Sequence, residues 1–194
     1  MAIDQQQDSA KFLLYAVNVL LQMINEPGVT DDIELAEVEE AQFAQSVLIE
    51  TKKEVLSTRW DINTDDAYVF PQDDNGFIPI PANVLDATDA DGDLIVRDWR
   101  LYSQSGQTAI FTEPQEMSVV WDLDFNSITH PIRNYITIRA ARKFQARQVM
   151  DTSVYGYSER DEADAYTIAR RSEGFTGKYN MLTSGNFGAT YKVR

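Results

Sequence analysis

The sequence predicts an α+β protein that is mainly helical. It reads as a four-helix bundle, a small antiparallel β insertion between helices 2 and 3, and an extended C-terminal arm. Apolar residues recur at three- and four-residue steps over 8–58 and again over 131–175, the period of a helix with one buried face. Between these stretches Pro71, Pro79, Pro81 and Pro114, with Asp-Asn-Gly and Asp-Gly turn signals, cut the chain into short alternating runs. Beyond Gly177 the periodicity is lost, and glycines separate Tyr179, Phe187 and Tyr191. The expected organisation is helices 1 and 2 over 1–62, the β insertion over 63–126, helices 3 and 4 over 127–176, and the arm over 177–194.

The first helix is expected from Asp8 or Ser9 to Ile24, with Phe12, Leu13, Ala16, Val17, Leu20, Met23 and Ile24 as its apolar stripe. Asn25-Glu26-Pro27-Gly28 stops it, because proline lacks a donor and glycine turns cheaply. Thr30, Asp31 and Asp32 offer caps for a long second helix over Ile33–Thr58, with acids early and bases late along the helix dipole. Strand-like runs follow at Tyr68–Phe70, Phe77–Ile80, Asn83–Ala87, Leu94–Arg97, Ala109–Thr112 and Met117–Leu123. Pro131 suits the first turn of a third helix, whose buried side is Ile132, Tyr135, Ile136, Ile138, Ala140, Phe144 and Val149. Ser158-Glu159-Arg160-Asp161 resembles a capping box opening a fourth helix, to about Phe175.

Charge is divided unevenly along the chain. Residues 131–194 carry eleven Lys and Arg against six Asp and Glu, whereas residues 1–130 carry six against 25. A cationic end and an anionic body suit packing against a neighbouring copy or partner, since complementary potentials set register and partner choice. The chain has no cysteine, so it can form no disulfide or thiolate site. Its first residues lack the basic and apolar segments of a signal peptide, and its longest apolar stretch is too short to span a bilayer. A cytosolic origin without membrane association is expected.

Chemistry finds little purchase. One histidine, His130, without cysteine cannot complete a hydrolytic triad or a His/Cys zinc site, and it reads as a turn or capping residue. Asp86–Asp98 partly matches a calcium loop, with Asp89, Asp91, Gly92 and Leu94 in register. Ala87 occupies the first ligand position, however, and the segment reads as an acidic β-turn. No catalytic residue, cofactor or metal is expected. Arg139, Arg142, Lys143 and Arg147 crowd the third helix and suit pairing with carboxylates, within the subunit or across an interface. A DNA-binding protein and a carboxylate-dependent hydrolase are the alternatives. The acidic body argues against the first because it repels phosphate, and the second lacks a distinguishable pair of acids.

Several stretches carry a resemblance. Ala16-Val17-Asn18-Val19-Leu20, Asn25-Glu26-Pro27, Arg59-Trp60, Ile80-Pro81-Ala82-Asn83-Val84-Leu85 and Arg100-Leu101-Tyr102 occur in order. Ile136-Thr137-Ile138-Arg139-Ala140-Ala141-Arg142-Lys143-Phe144 and Tyr179-Asn180-Met181-Leu182 complete the series. In order and spacing the chain resembles the tail tubular A family, adaptors between portal and nozzle in short-tailed bacteriophages of the podovirus type. The family opens its third helix with a Leu-Pro pair where this chain has Ser127-Ile128-Thr129-His130-Pro131, a departure confined to the helix start.

The resemblance implies a structural virion protein at the portal–nozzle junction of the tail. It implies a ring of twelve copies, with helices in the wall and double-stranded DNA passing the lumen without specific binding. The portal protein and the nozzle (tail tubular protein B) are the implied partners, with tail fibres near the junction. It also implies that the arm reaches the portal, which makes Tyr179, Phe187, Tyr191 and Arg194 its expected anchors. Arg139, Arg142, Lys143 and Arg147 are then the expected inter-subunit or portal electrostatic contacts.

Overall fold

A computed structural model describes residues 2–148 and 157–176, so the arm with Tyr179, Phe187, Tyr191 and Arg194 lies outside the described residues, as does Val149. Among the described residues the fold is mixed α+β, with five α-helices and small antiparallel sheets. Helix α1 spans Ala2–Gln22, α2 Asp32–Glu37, α3 Glu39–Leu56, α4 His130–Gln148 and α5 Glu159–Thr176.

Helix α1 ends in a Schellman turn rather than at proline. Asn25 takes a left-handed φ of 61°, and Glu26 N donates to Leu21 O at 3.1 Å. Asn tolerates that conformation better than most residues, so it satisfies the last carbonyls before Pro27 is reached. Asn18 then holds the returning loop, accepting from Val29 N at 2.8 Å and donating to Val29 O at 2.9 Å. Gly28 fits beside it because a Cβ there would lie 3.1 Å from the Asn18 side chain.

The expected second helix is two helices. Asp31 caps α2, accepting from Ile33 N and Glu34 N at 3.0 and 2.8 Å. Val38 then adopts an extended backbone, φ −92° and ψ 116°, and α3 starts at Glu39. The reason lies in phase. Two successive three-residue steps, Leu35 to Val38 to Ala41, would carry Leu35 about 120° around an unbroken helix from Ala41. The break lets Leu35 enter the core that receives Ala41, Ala44, Val47, Leu48, Val55 and Leu56.

Helix α4 is the central helix, touching α1, α3 and α5. Tyr135, Ile136, Thr137, Ile138, Ala140 and Ala141 are all buried, so its middle shows no amphipathic stripe. Each fully buried Ile side chain of α4, Ile132 and Ile136, contributes about 1.5–3 kcal/mol. The expected capping box opens α5: Asp161 N donates to Ser158 Oγ at 3.2 Å, and Ser158 N donates to the Asp161 carboxylate at 2.8 Å.

Strand β5 (Gln115–Trp121) runs between β1 (Thr64–Phe70) and β2 (Val84–Thr88), antiparallel to both. A bulge between Val84 and Asp86 shifts the strand's parity. Val84 and Ala87 therefore both face the cluster of Phe70, Ile78, Leu101, Met117 and Val119, while Leu85 packs on the helical core. Two expected strands, Phe77–Ile80 and Ala109–Thr112, are reduced to the isolated bridges Phe77–Ile110 and Pro79–Arg100. Prolines at 79 and 81 remove the donors that a continuous ladder needs. A strand absent from the expectations, β4 (Arg100–Ser103), pairs with β3 (Leu94–Arg97) through a two-residue turn at Asp98-Trp99.

Asn63 joins the helical and sheet parts. Its side chain accepts from Trp60 N at 3.0 Å and donates to Leu56 O at 3.1 Å and Trp121 O at 2.8 Å. It is 1% exposed, so truncation would strand three backbone groups. Asn63→Ala is expected to cost about 3 kcal/mol, measured as a shift in the urea midpoint.

Both residues of the β3–β4 turn have positive φ, 52° at Asp98 and 59° at Trp99. Asn and Gly suit such a turn, and a bulky residue in this region costs about 1–3 kcal/mol. The double variant Asp98→Asn, Trp99→Gly is expected to melt at least about 3 °C higher by calorimetry.

Candidate functional site

The densest polar constellation surrounds α4, where an arginine-rich sequence passes between two acidic helices. Long basic side chains at 139, 142, 143 and 147 can bury their stems against the core and lift their heads to the rim. Arg147 makes a two-pronged contact with Glu50 of α3, at 2.8 and 2.9 Å. Lys143 and Arg139 share Glu54 of α3, the Arg139 contact being 2.5 Å. Arg139 also reaches Glu162 of α5 at 2.8 Å, and Arg142 pairs with Glu162 and, at 3.5 Å, Glu159. The four cations therefore form a ladder across α3, α4 and α5 inside one subunit. Of the two uses open to them, the intramolecular one is filled.

The ladder moves the acidities of Glu50, Glu54, Arg139 and Arg147. Hydrogen bonds from Arg147 hold the Glu50 carboxyl below its ordinary value, and those from Lys143 and Arg139 do the same for Glu54. Burial opposes the charge on Arg139, yet Glu54, Tyr135 and Glu162 together hold its pKa above the ordinary arginine value.

A second node closes α5 onto the body. The Arg170 guanidinium lies 3.7 Å from the Trp60 ring centroid, and Tyr166 meets the same indole edge-on at 6.2 Å. Trp60 is 1% exposed, and its indole N–H donates to Val55 O at 2.7 Å. Beside it the buried Glu173 accepts from Asp61 N at 2.7 Å and pairs with Arg170 at 3.1 Å. Burial raises the Glu173 pKa despite these donors.

The other candidates are occupied locally. Asp86 pairs with Arg59 at 2.7 Å. Asp89 accepts from Asp93 N and Leu94 N, and Asp93 accepts from Ser103 Oγ and Ser105 N at 2.7 Å. The Ser103 hydroxyl holds the Asp93 carboxyl below its ordinary value. Gly92 supplies the turn, with φ 71°. Among the described residues no three His, Asp or Glu side chains converge as a metal site, and no helix is long and apolar enough to cross a membrane. His130 is exposed at the start of α4, beside a groove of about 440 Å³ lined by Phe12, Tyr15, Val19, Arg133 and Tyr157. Arg133 stacks over Phe12 at 3.8 Å within it. Sequence reasoning missed this groove, although the stripe of α1 already contained Phe12.

Acid should weaken the ladder. Glu50 and Glu54 titrate lower in the folded state, so their contribution is present above pH about 4.5 and fades as pH falls through their folded values. Glu173 works oppositely: its folded value is raised, so acidification through the window just above pH 4.5 favours the fold. Urea titrations from pH 6 to pH 3 should show a shallower acid loss for Glu54→Gln and a steeper one for Glu173→Gln.

The arrangement holds helices together and exposes apolar and charged surface, the features of an assembly component. Comparison with known proteins agrees. The family model described as Tail tubular protein matches residues 14–179. Tail tubular protein A of Klebsiella phage KP34 is 34% identical over 130 residues, covering 64% of this chain and 68% of that protein. With most of its length matched, from α1 through α5, the chain belongs to the tail tubular protein family of structural bacteriophage tail proteins.

Proposed function

We propose that this protein is the adaptor ring joining the portal to the tail nozzle of a short-tailed phage, forming part of the DNA ejection channel and catalysing no reaction. The likeness to Tail tubular protein A carries this reading. In it, twelve copies close a ring, the portal sits on one side and the nozzle protein on the other, and tail fibres attach near the junction. The helices form a bundle in the wall, and the sheet part hangs from the connection between α3 and α4.

The charge distribution supports a passage for DNA rather than a DNA-binding site. Four cations of α4, Arg139, Arg142, Lys143 and Arg147, are already neutralised within the chain by Glu50, Glu54, Glu159 and Glu162. The chain as a whole carries a net charge of −14. A lumen of that sign lets phosphates slide, whereas a cationic one would hold them.

The arm over 177–194, with Tyr179, Phe187, Tyr191 and Arg194, supplies the portal anchors in this proposal. Aromatic side chains and arginine dominate the energetics of interfaces, and this segment has no acidic residue. Inter-subunit or portal contact by Arg139, Arg142, Lys143 and Arg147 would use only the outer edges of groups already paired within the chain.

A chain ending at Thr176 should melt within about 2 °C of the full chain, since terminal segments add little to a packed body. It should fail to co-sediment with purified portal. Full portal binding by that chain would remove the arm's role. Electron microscopy of the mature tail tests the whole reading: density for this chain belongs between portal and nozzle, and its placement elsewhere refutes the adaptor assignment.

A further inference from the structure

We infer that the tip of the β3–β4 hairpin docks on a second copy of this chain, seating Trp99 against the acidic face around Ile33 on α2 and the start of α3. The inference rests on the multi-copy assembly proposed above, but its observations are independent of that proposal.

The turn is built against local preference. Asp98 and Trp99 both sit at positive φ, where glycine and asparagine belong and a bulky residue is disfavoured. Strain kept at such a position usually serves a site rather than the fold. Here it displays an indole that is 62% exposed. The turn backbone that carries it is held, because Ile80 N donates to Trp99 O at 2.8 Å and Leu101 N donates to Ile78 O at 3.0 Å. A fixed backbone leaves only the side chain to be ordered on binding.

Charge then selects the partner. Residues 63–126 hold thirteen acids and two bases, and both bases, Arg97 and Arg100, flank Trp99. Arg97 stacks on Tyr102 at 4.1 Å and Arg100 on Phe77 at 4.3 Å. Neither pairs with a carboxylate among the described residues. The tip is therefore an apolar anchor between two fixed cations, on a module otherwise too acidic to approach DNA.

The chain carries a complementary surface of its own. Ile33 is 71% exposed on α2; Asp32 and Glu37 stand exposed on the same helix, and Glu39 and Glu40 are exposed at the start of α3. An exposed isoleucine on an acidic segment complements an exposed indole flanked by two guanidinium groups. Tip and patch are different surfaces, so the contact is heterologous, the kind that repeats around a ring.

The test uses full-length chain carrying Trp99→p-benzoylphenylalanine, incorporated into tails and irradiated. The expected product is an adduct of twice the 22.0 kDa chain mass, with its crosslink in the 31–43 segment. An adduct with a different tail protein, or none, overturns the inference and leaves the adaptor reading standing. One copy of the chain per tail would instead sink the multi-copy reading. Trp99→Gly provides the second measurement. It should fold and melt higher than the parent yet enter tails at least about tenfold less well, the scale of one lost interface anchor. Incorporation equal to the parent's would overturn the inference even if the photoreactive variant failed to fold.

Discussion

The side-chain amide of Asn63 accepts from Trp60 N and donates to the carbonyls of Leu56 and Trp121. These groups belong to the turn after α3, the last residue of α3 and the last residue of β5. A buried backbone group without a partner costs more than most single contacts contribute. The approach of sheet to helices is therefore fixed at this point, and the packing of Leu85, Leu123 and Ile62 onto the helical core follows from it. Lys52 reinforces the same junction, pairing with Asp122 at 2.7 Å and donating to Leu123 O at 2.8 Å.

Around that junction the helices are held in two different ways. Helices α1 and α3 contribute broad apolar faces to the core. Among the described side chains of α5 the buried apolar ones are Ala165 and Ala169, and the ionic ladder and the Arg170–Trp60 contact add polar docking to them. Pairs near the surface are individually weak, but a network sharing Glu54 and Glu162 is cooperative in geometry. A protein that must join larger assemblies gains from one element held this way, because polar contacts can be exchanged at lower cost than a packed core.

Much of this was legible from the residues. The 3.6-residue period located α3, α4, α5 and the body of α1, which starts at Ala2 rather than at Asp8 or Ser9, and the Ser158–Asp161 spacing gave the capping box that the structure contains. The break at Val38 was readable too, in the two three-residue steps that drift the stripe, but a list of apolar positions hides that drift. The Asp98-Trp99 turn was not readable, because only Asp98 tolerates a positive φ and a tryptophan at the second position gives no such signal. Strand β4 was missed for a related reason: only Leu101 of its four residues is buried. The need of the α4 cations for carboxylates was plain, but Arg147 and Glu50 stand 97 residues apart. Only tertiary structure selects among so many acids. Asn63 carried no signal, since a polar residue after a helix looks like any loop position.

Trp60 has a consequence of its own. Its indole is shut away from water by Arg170 and Tyr166, both on α5, while Trp99 is largely wet. If that helix lifts, the cation leaves the ring face and solvent takes its place, so emission from Trp60 should move to longer wavelength. The molecule thus carries an optical gauge of how firmly its last described helix is seated, usable without any added label.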